Sequence, residues 1–197
     1  DLLRAAGWTV KERKLVHGTT GKPFQFEILL AQATWERIAL PFVRHLERLG
    51  IEARVRTVEP AQYRKRADDF DFDMIVDSFG QSLSPGNEQR DFWSTAAAAT
   101  PGSRNTIGIK DPVVAELIEL VIAAPDRESL IARTRALDRV LLAGDYLIPH
   151  WHIRTFRVAY WDKFGRPAVT PKYGLCFNCW WIDAGKAEAL EAKRGRK

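Results

Sequence analysis

Alternation of apolar and polar positions predicts the β-strands of this chain. In residues 24–30, Phe and Ile alternate with Gln and Glu, which is the two-residue period of a half-buried strand. Residues 51–58 repeat this period, with Ile, Ala and Val opposite Glu and Arg. Two further runs, 9–16 and 70–79, have the composition of strands, and the second has an apolar centre.

Predicted helices separate these strands. Apolar residues spaced three and four apart predict a helix over residues 34–49, with Thr34 as its N-cap, and a short basic helix follows over residues 61–67. The order strand, helix, strand, helix, strand is typical of an α/β layer arrangement with a partly parallel sheet. The predicted fold class is therefore α/β, with a mixed β-sheet flanked by helices.

A second pair of helices is predicted farther along the chain. Asp111 and Pro112 are typical of an N-cap and a first helical position, and the apolar stripe after them ends near Ala124. Another helix begins at Asp126 and ends at Gly144, a typical helix exit. We expect the two helices to pack together on the sheet.

Residues 80–110 follow neither the helical nor the strand period. Long irregular segments inside compact domains are usually functional or disordered, and the apolar residues Phe92, Trp93 and Ile107 argue against disorder. In open α/β sheets, ligands bind beyond the carboxyl ends of the strands, and this span follows the strand predicted at 70–79. We therefore expect residues 80–110 to form one wall of a ligand cleft.

The chain after residue 145 carries two more predicted strands, at residues 146–153 and 155–161, and Pro149 places the first at a sheet edge or bulge. Internal repeats and low-complexity linkers are absent from the sequence. We therefore predict one main domain.

The charge pattern argues against nucleic-acid binding. The net charge is +5, from 30 basic and 25 acidic residues, and much of the excess lies in the tail at Lys193, Arg194, Arg196 and Lys197. The rest of the chain mixes both signs, so a solvated helix end explains the tail, and a phosphate-binding arm is the alternative. The sequence also lacks the roughly 18 consecutive apolar residues that a membrane span needs, so we expect no direct membrane insertion.

Cys176 and Cys179 form a C-x-x-C pair that allows three interpretations. In an exported chain the pair predicts a tight disulfide, whereas in a cytosolic chain it indicates redox chemistry or half of a zinc site. With His150 and His152, the cysteines would supply the ligand types of a zinc centre, although the spacing departs from the usual finger pattern. A small zinc-binding or redox module is therefore the alternative function.

Enzyme signatures are lacking elsewhere in the sequence. The chain has neither a Gly-x-Ser-x-Gly nucleophile elbow nor a glycine-rich phosphate loop. We therefore predict no catalytic residue, no metal ligand and no cofactor, and we expect a binding module that is not an enzyme.

Several motifs together resemble one protein family in their order and spacing. They lie at residues 2–8, 49–53, 72–74, 111–112 and 148–151. In these positions the chain resembles the peptide/nickel class, family 5, of bacterial extracellular solute-binding proteins, which deliver ligands to ABC importers. Three longer stretches resemble the YejA-like oligopeptide-binding branch of that family. They are residues 84–93, 102–105 and 159–166.

The resemblance implies a periplasmic-binding-protein-like lobe from a longer, two-lobed protein. Residues 1–172 would be the C-terminal ligand-binding lobe, and residues 173–197 would return toward an N-terminal lobe that this chain lacks. The implied function is capture of oligopeptides or peptide-like solutes between the two lobes. The implied partners are ABC permease subunits in the inner membrane, and the protein would be a periplasmic monomer.

Polar and aromatic residues in and near the irregular span are the candidates for ligand contact, because loose peptide recognition uses backbone hydrogen bonds and roomy pockets. The predicted ligand contacts are Asp77, Phe79, Gln81, Ser84, Asn87, Glu88, Trp93, Asn105 and Trp151. Some relatives in the resembled family place an Asp just after the strand at 70–79, to pair with the peptide's amino group. This sequence has Gln81 and two serines there, so Asp77 or Glu88 would have to substitute.

Overall fold

Three parallel strands form the main sheet of the protein. The computed structural model describes residues 1–153, 155–172 and 174–195. The strand order is β4-β3-β5, where β3 is Gln25–Leu30, β4 is Glu52–Thr57 and β5 is Met74–Ile75. Both neighbours of β3 run parallel to it. The predicted α/β class is confirmed, and antiparallel pairing in the described chain occurs in two separate two-stranded ladders and in one isolated bridge between Val16 and Pro23.

One face of the sheet is covered by α2, Glu36–Glu47. Ile28 and Leu30 of β3 pack with Ala39 and Val43 of α2 in a buried cluster, which explains the alternation in the sequence. The helix begins two residues later than expected, because Ala33–Trp35 form a 3₁₀ turn and Thr34 makes no capping bond. The next helix, α3, is Pro60–Asp68.

The single strand predicted over residues 9–16 was wrong, because a hairpin interrupts it. After the short helix α1, Leu2–Ala5, strand β1, Trp8–Lys11, pairs antiparallel with β2, Lys14–His17. Glu12 and Arg13 between them both have positive φ, 50° and 66°. Two successive left-handed residues are what a two-residue hairpin turn requires, and here no Gly or Asn marks them.

The strand predicted over residues 70–79 was also too long, since β5 contains only Met74 and Ile75. Phe70 has a positive φ of 56°, which is incompatible with an extended strand. The side chain of Asp73 accepts a hydrogen bond from the backbone N–H of Glu27 at 2.8 Å. This bond connects the chain to β3 before β5 begins. The chain then leaves the sheet at Val76.

The predicted pair of long helices is confirmed, with α5 at Pro112–Ile122 and α6 at Arg127–Ala143. The carboxylate of Asp111 accepts hydrogen bonds from the N–H groups of Val113 and Val114, and Asp126 caps α6 in the same way. Gly144 ends α6, as expected.

The expectation that this helix pair packs on the sheet was wrong. The buried residues of its core come from α5, α6, Ile109 and the short helix α4, Glu88–Trp93, and none of them lies on a strand. Phe92 and Trp93 of α4 are only 2% and 7% exposed. The irregular span therefore supplies the surface against which the helices pack.

Residues Ile148–Lys197 form a second compact unit, separate from Asp1–Leu147. It contains the antiparallel pair β6, Phe164–Gly165, and β7, Trp181–Ile182, followed by α7, Ala184–Arg194. Tyr173, where the sequence boundary was placed, lies outside the described residues. The division at residue 172 therefore stays a prediction.

The strands predicted at residues 146–153 and 155–161 were wrong for the part of them that the structure describes. Their alternating apolar residues are largely exposed, with Ile153 at 75% and Phe156 at 62%. A strand exists only when its backbone pairs with a neighbour, and no described residue pairs with these segments.

The basic tail ends α7. Arg194 forms an ion pair with Glu191 at 3.5 Å and lies over the ring of Trp161, while Arg196 and Lys197 lie outside the described residues. In the described part of the chain, every helix is too short or too polar to cross a membrane.

The cap of α5 provides a test of this fold. Replacing Asp111 with Ala should lower the free energy of unfolding by about 1 kcal/mol, because two N–H groups of the first helical turn lose their acceptor. Asp111→Asn should retain most of the stability. Urea unfolding followed by circular dichroism measures both, and Glu116→Ala on the exposed side of the same helix is the control. Equal effects of Asp111→Ala and Glu116→Ala would contradict the capping role.

Candidate functional site

A groove of about 420 Å³ opens between α6 and the irregular span. We call it the α6 groove. One wall is formed by residues of the span and the other by residues of α6 and the chain that follows. Representative lining residues are Phe79, Gln81, Trp93, Ile131, Leu137 and Leu142. Most of the lining is apolar, so the groove suits a ligand group that leaves water.

Asn105 holds the irregular span in shape. Its side chain is fully buried, and its amide nitrogen donates to the carbonyl oxygens of Ser94 and Ile109 at 2.9 and 3.1 Å. Its amide oxygen accepts from the N–H groups of Gly108 and Ile109, both at 3.0 Å. These bonds satisfy the N–H and the carbonyl of Ile109, and they add a second partner to the Ser94 carbonyl and the Gly108 N–H. The amide is thus fully engaged inside the chain and leaves no group free for a ligand.

Gln89 links the groove wall to α4. It is 3% exposed, and its amide nitrogen donates to the side-chain oxygen of Gln81 at 2.7 Å and to that of Glu88 at 3.2 Å. Its own oxygen accepts from Trp93 Nε1 at 3.1 Å. A buried amide with three partners fixes the positions of Gln81 and Trp93, which both line the groove.

Glu88 is ionised and engaged inside the chain. Burial acts to raise the pKa of this carboxyl, but hydrogen bonds from the N–H of Gly86, from its own N–H and from Gln89 outweigh burial and hold the pKa below its ordinary value. Its Oε1 receives the Gly86 N–H at 2.9 Å. Glu88 therefore acts as an internal acceptor for the turn that precedes α4.

An aromatic cluster stabilises the groove wall that the irregular span forms. The ring of Phe79 lies 4.9 Å from that of Trp93 and 6.0 Å from that of Phe92, between centroids. The guanidinium of Arg104 lies 4.4 Å above the ring of Phe92, at a cation–π distance. Large buried rings compensate for the missing regular structure of the span, because each removes a large apolar area from water.

Asp77 lies beside a smaller recess at the carboxyl ends of β3 and β5. This recess has a volume of about 170 Å³ and is lined by Leu30, Tyr63 and Val76, among others. The hydroxyl of Tyr63 donates to the carbonyl oxygen of Val76 at 3.1 Å. Burial, and then the negative charge of Asp77, raise the pKa of Tyr63, which places the Asp77 carboxylate near the recess.

The carboxylate of Asp77 is held in place while it remains exposed. Its Oδ1 accepts from the N–H of Ser78 at 2.7 Å, and its Oδ2 accepts from the hydroxyl of Thr106 at 2.9 Å. A carboxylate accepts about four hydrogen bonds, so capacity remains for an external donor. Asp77 is thus a fixed anionic group at the edge of the sheet.

The structure brings some of the predicted contacts together. Phe79, Gln81 and Trp93 line the α6 groove, and Asp77 lies two residues before Phe79 on the same loop. In contrast, Trp151 belongs to the second compact unit, where its side chain is 58% exposed.

The remaining predicted contacts do not line the groove. Ser84 and Asn87 are exposed, and the side-chain oxygen of Asn87 accepts a hydrogen bond from Arg90. Glu88 and Asn105 serve the span itself, as described above. These four residues are thus placed in or beside the wall without facing the groove.

Sequence reasoning missed Gln89 and the contribution of α6. Ile131 of α6, for example, is 38% exposed and lines the groove. The signal was present in the doubled apolar pairs Leu130-Ile131 and Leu141-Leu142, since adjacent residues on a helix point about 100° apart. All four residues line the groove, and Leu130 and Leu141 also pack against the core.

The zinc and redox interpretations depend on Cys176 and Cys179, which form a disulfide. Sulfurs joined in this way supply neither a thiolate ligand nor a free nucleophile. In the described residues, no group of three or more His, Cys, Asp or Glu side chains is placed to hold a metal ion. The pair instead closes the 3₁₀ turn Phe177–Cys179, which precedes the half-buried Trp180.

A family model matches the first half of the chain. The model describes bacterial extracellular solute-binding proteins, family 5 middle, and it matches residues 1–100. These residues include the main sheet, Asp77 and the wall of the α6 groove as far as Trp93.

Two curated proteins match almost the entire chain. An uncharacterised protein y4wM of Sinorhizobium fredii is 54% identical over 182 residues, which cover 92% of this chain and 28% of that protein. A probable peptide-binding protein YejA of Agrobacterium fabrum is 43% identical over 187 residues, or 94% of this chain and 30% of that protein. The chain therefore spans less than a third of the length of these relatives.

A solved structure shows the same fold. The oligopeptide-binding protein AppA of Bacillus subtilis, in complex with a nonapeptide, superposes with a TM-score of 0.70 at 20% identity. The match covers 92% of this chain and 36% of AppA. This confirms the expected periplasmic-binding-protein-like architecture.

The scaffolding role of Asn105 is testable. Asn105→Ala should lower the free energy of unfolding by about 3 kcal/mol, because the buried N–H and carbonyl of Ile109 lose this partner and the Ser94 carbonyl loses one of its two. Thermal unfolding measures the change, and the exposed Asn87→Ala is the control. If Asn105→Ala has no larger effect than Asn87→Ala, the span is not held by this amide.

Thr134, which lines the groove, provides a test in which the substitution should raise stability. Its hydroxyl is the one buried side-chain polar atom of the described residues without a hydrogen-bond partner. Thr134→Val should therefore raise the free energy of unfolding by about 1 kcal/mol, since an unsatisfied hydroxyl is replaced by a methyl group. Thr106→Val, which removes a satisfied hydroxyl, should give no gain in the same urea titration. A loss of stability in Thr134→Val would show that the hydroxyl has a partner.

Proposed function

Because this chain belongs to the bacterial extracellular solute-binding proteins of family 5, we propose that it forms part of the substrate-binding component of an ABC importer. It captures oligopeptides or peptide-like solutes by non-covalent contacts, without chemical conversion of the ligand. The protein acts in the periplasm and hands its ligand to permease subunits in the inner membrane. It works as a monomer, with a second lobe closing over the ligand.

One observation carries this proposal: an exposed, fixed carboxylate at the carboxyl edge of a parallel sheet lies two residues before Phe79, which lines an apolar groove. Asp77 and the groove residue Phe79 are on one loop, and that loop leaves the sheet directly after β5. Ligands of open α/β sheets bind at this edge. The combination of one anionic group and an apolar wall fits a peptide, which has a cationic amino terminus and apolar side chains.

Asp77 is the better candidate for binding the amino group of the peptide. Glu88, the other candidate, already accepts hydrogen bonds from Gly86 and Gln89 and is half-buried. Asp77 is exposed and keeps free lone pairs. An ammonium group at Asp77 would therefore gain a charge-assisted hydrogen bond without displacing an internal partner.

The lengths of the relatives are consistent with a clamshell protein. The chain spans 28% and 30% of the two relatives described above, so residues for a second wall exist in proteins of this kind. The present residues form one side of the cleft between the two lobes. We therefore expect the isolated chain to bind peptides weakly, because half of the enclosing surface comes from elsewhere.

A binding experiment on the intact protein that contains these residues tests the proposal. Isothermal titration calorimetry with alanine tetrapeptides should detect binding, and Asp77→Asn should weaken it by about tenfold or more, because one charge-assisted hydrogen bond is lost. Amino-terminal acetylation of the peptide should weaken binding to the original protein by a similar factor. It should have little further effect on Asp77→Asn.

Asp91→Asn is the matched control, since Asp91 is an exposed acid on α4. Equal effects of the two substitutions would contradict the role of Asp77. A failure of the intact protein to bind any short peptide would contradict the proposed function as a whole.

A further inference from the structure

The α6 groove has an apolar floor, and its exposed lining residues are both apolar and polar. Its buried floor is formed by Trp93, Ile109 and Leu137. Several exposed lining residues are polar or charged instead. They are Gln81, Ser82, Arg135 and Asp138. This arrangement suits a ligand that inserts an apolar group and keeps its polar backbone near water.

The size of the groove favours a side chain over a protein partner. Its volume of about 420 Å³ falls in the range of roughly 300–1,000 Å³ that is typical of small-ligand sites. A stable protein interface buries roughly 800 Å² on each partner, which needs a broader surface than one groove. The groove is therefore large enough for one large side chain with a short piece of backbone.

The charge next to the groove indicates which kind of ligand fits. The hydrogen bond between Thr106 and Asp77 joins two loops, and the neighbouring residues Phe79 and Ile107 both line the groove. The anionic group thus lies at the side of the groove. A ligand with a cationic amine and a nearby apolar side chain complements both features.

We propose that the α6 groove is a side-chain pocket that selects peptides carrying a large apolar residue near the amino terminus. The inference rests on the proposed function, because it assumes that the ligand is a peptide. Leucine and phenylalanine are the side chains of the right chemistry. Their burial against α6 replaces contact with water at the exposed apolar residues Ile131 and Leu142.

The test uses the intact protein and alanine tetrapeptides with Leu, Phe, Ser or Asp at the second position. Calorimetry should show that the Leu and Phe peptides bind about tenfold more tightly than the Ser and Asp peptides, because only their side chains gain from burial. Ile131→Asp should remove this preference by weakening the binding of the Leu and Phe peptides. Ile131→Leu should retain the preference.

Leu120→Asp is the matched control, since Leu120 on α5 is 40% exposed, against 38% for Ile131, and does not line the groove. It should leave the preference unchanged. Equal affinity for the Leu and Ser peptides would overturn the inference while the proposed function stands. The inference would also be overturned, with the proposed function intact, if Ile131→Asp weakened the binding of all the peptides equally. Another part of the polypeptide would then occupy the groove. If no peptide of the series binds, the proposed function fails and the inference fails with it.

Discussion

An irregular segment can form the wall of a groove only if its buried backbone polar groups find partners, and Asn105 meets this constraint. Its amide bonds the carbonyl of Ser94, the N–H of Gly108 and both the N–H and the carbonyl of Ile109. An unpaired buried N–H or carbonyl costs about 1–3 kcal/mol, so the span would not keep its shape without this amide. The positions of Trp93 and the α6 groove follow from it.

The span also explains why the protein has two cores in its first unit. One core lies between the sheet and α2, and the other joins α4, α5 and α6 around Phe92 and Trp93. The loop from Asp77 to Phe79 leaves the sheet of the first core and reaches the helices of the second. The wall therefore presents a charged and an apolar ligand contact side by side. Buried aromatic rings and amides hold this wall in place.

Sequence reasoning predicted the parts of the structure that depend on local chemistry. The caps at Asp111 and Asp126 and the alternation in β3 specify their elements without distant partners. Features that depend on partners were missed. The turn at Glu12–Arg13 carries no glycine, and the alternating residues 146–153 and 155–161 lack a neighbouring strand in the described chain. In the site, aromatic positions were predictable, whereas the inward direction of the Asn105 amide was not.

The central claim is that the loop after β5 and the exposed apolar side of α6 together form the ligand-binding wall. Hydrogen–deuterium exchange of the intact protein, with and without an alanine tetrapeptide that carries leucine at the second position, tests it directly. The account predicts slower exchange in residues 77–83 and in α6 when the peptide is bound, with no change in the hairpin β1–β2. Protection that is absent from both of these segments while the peptide binds would contradict it.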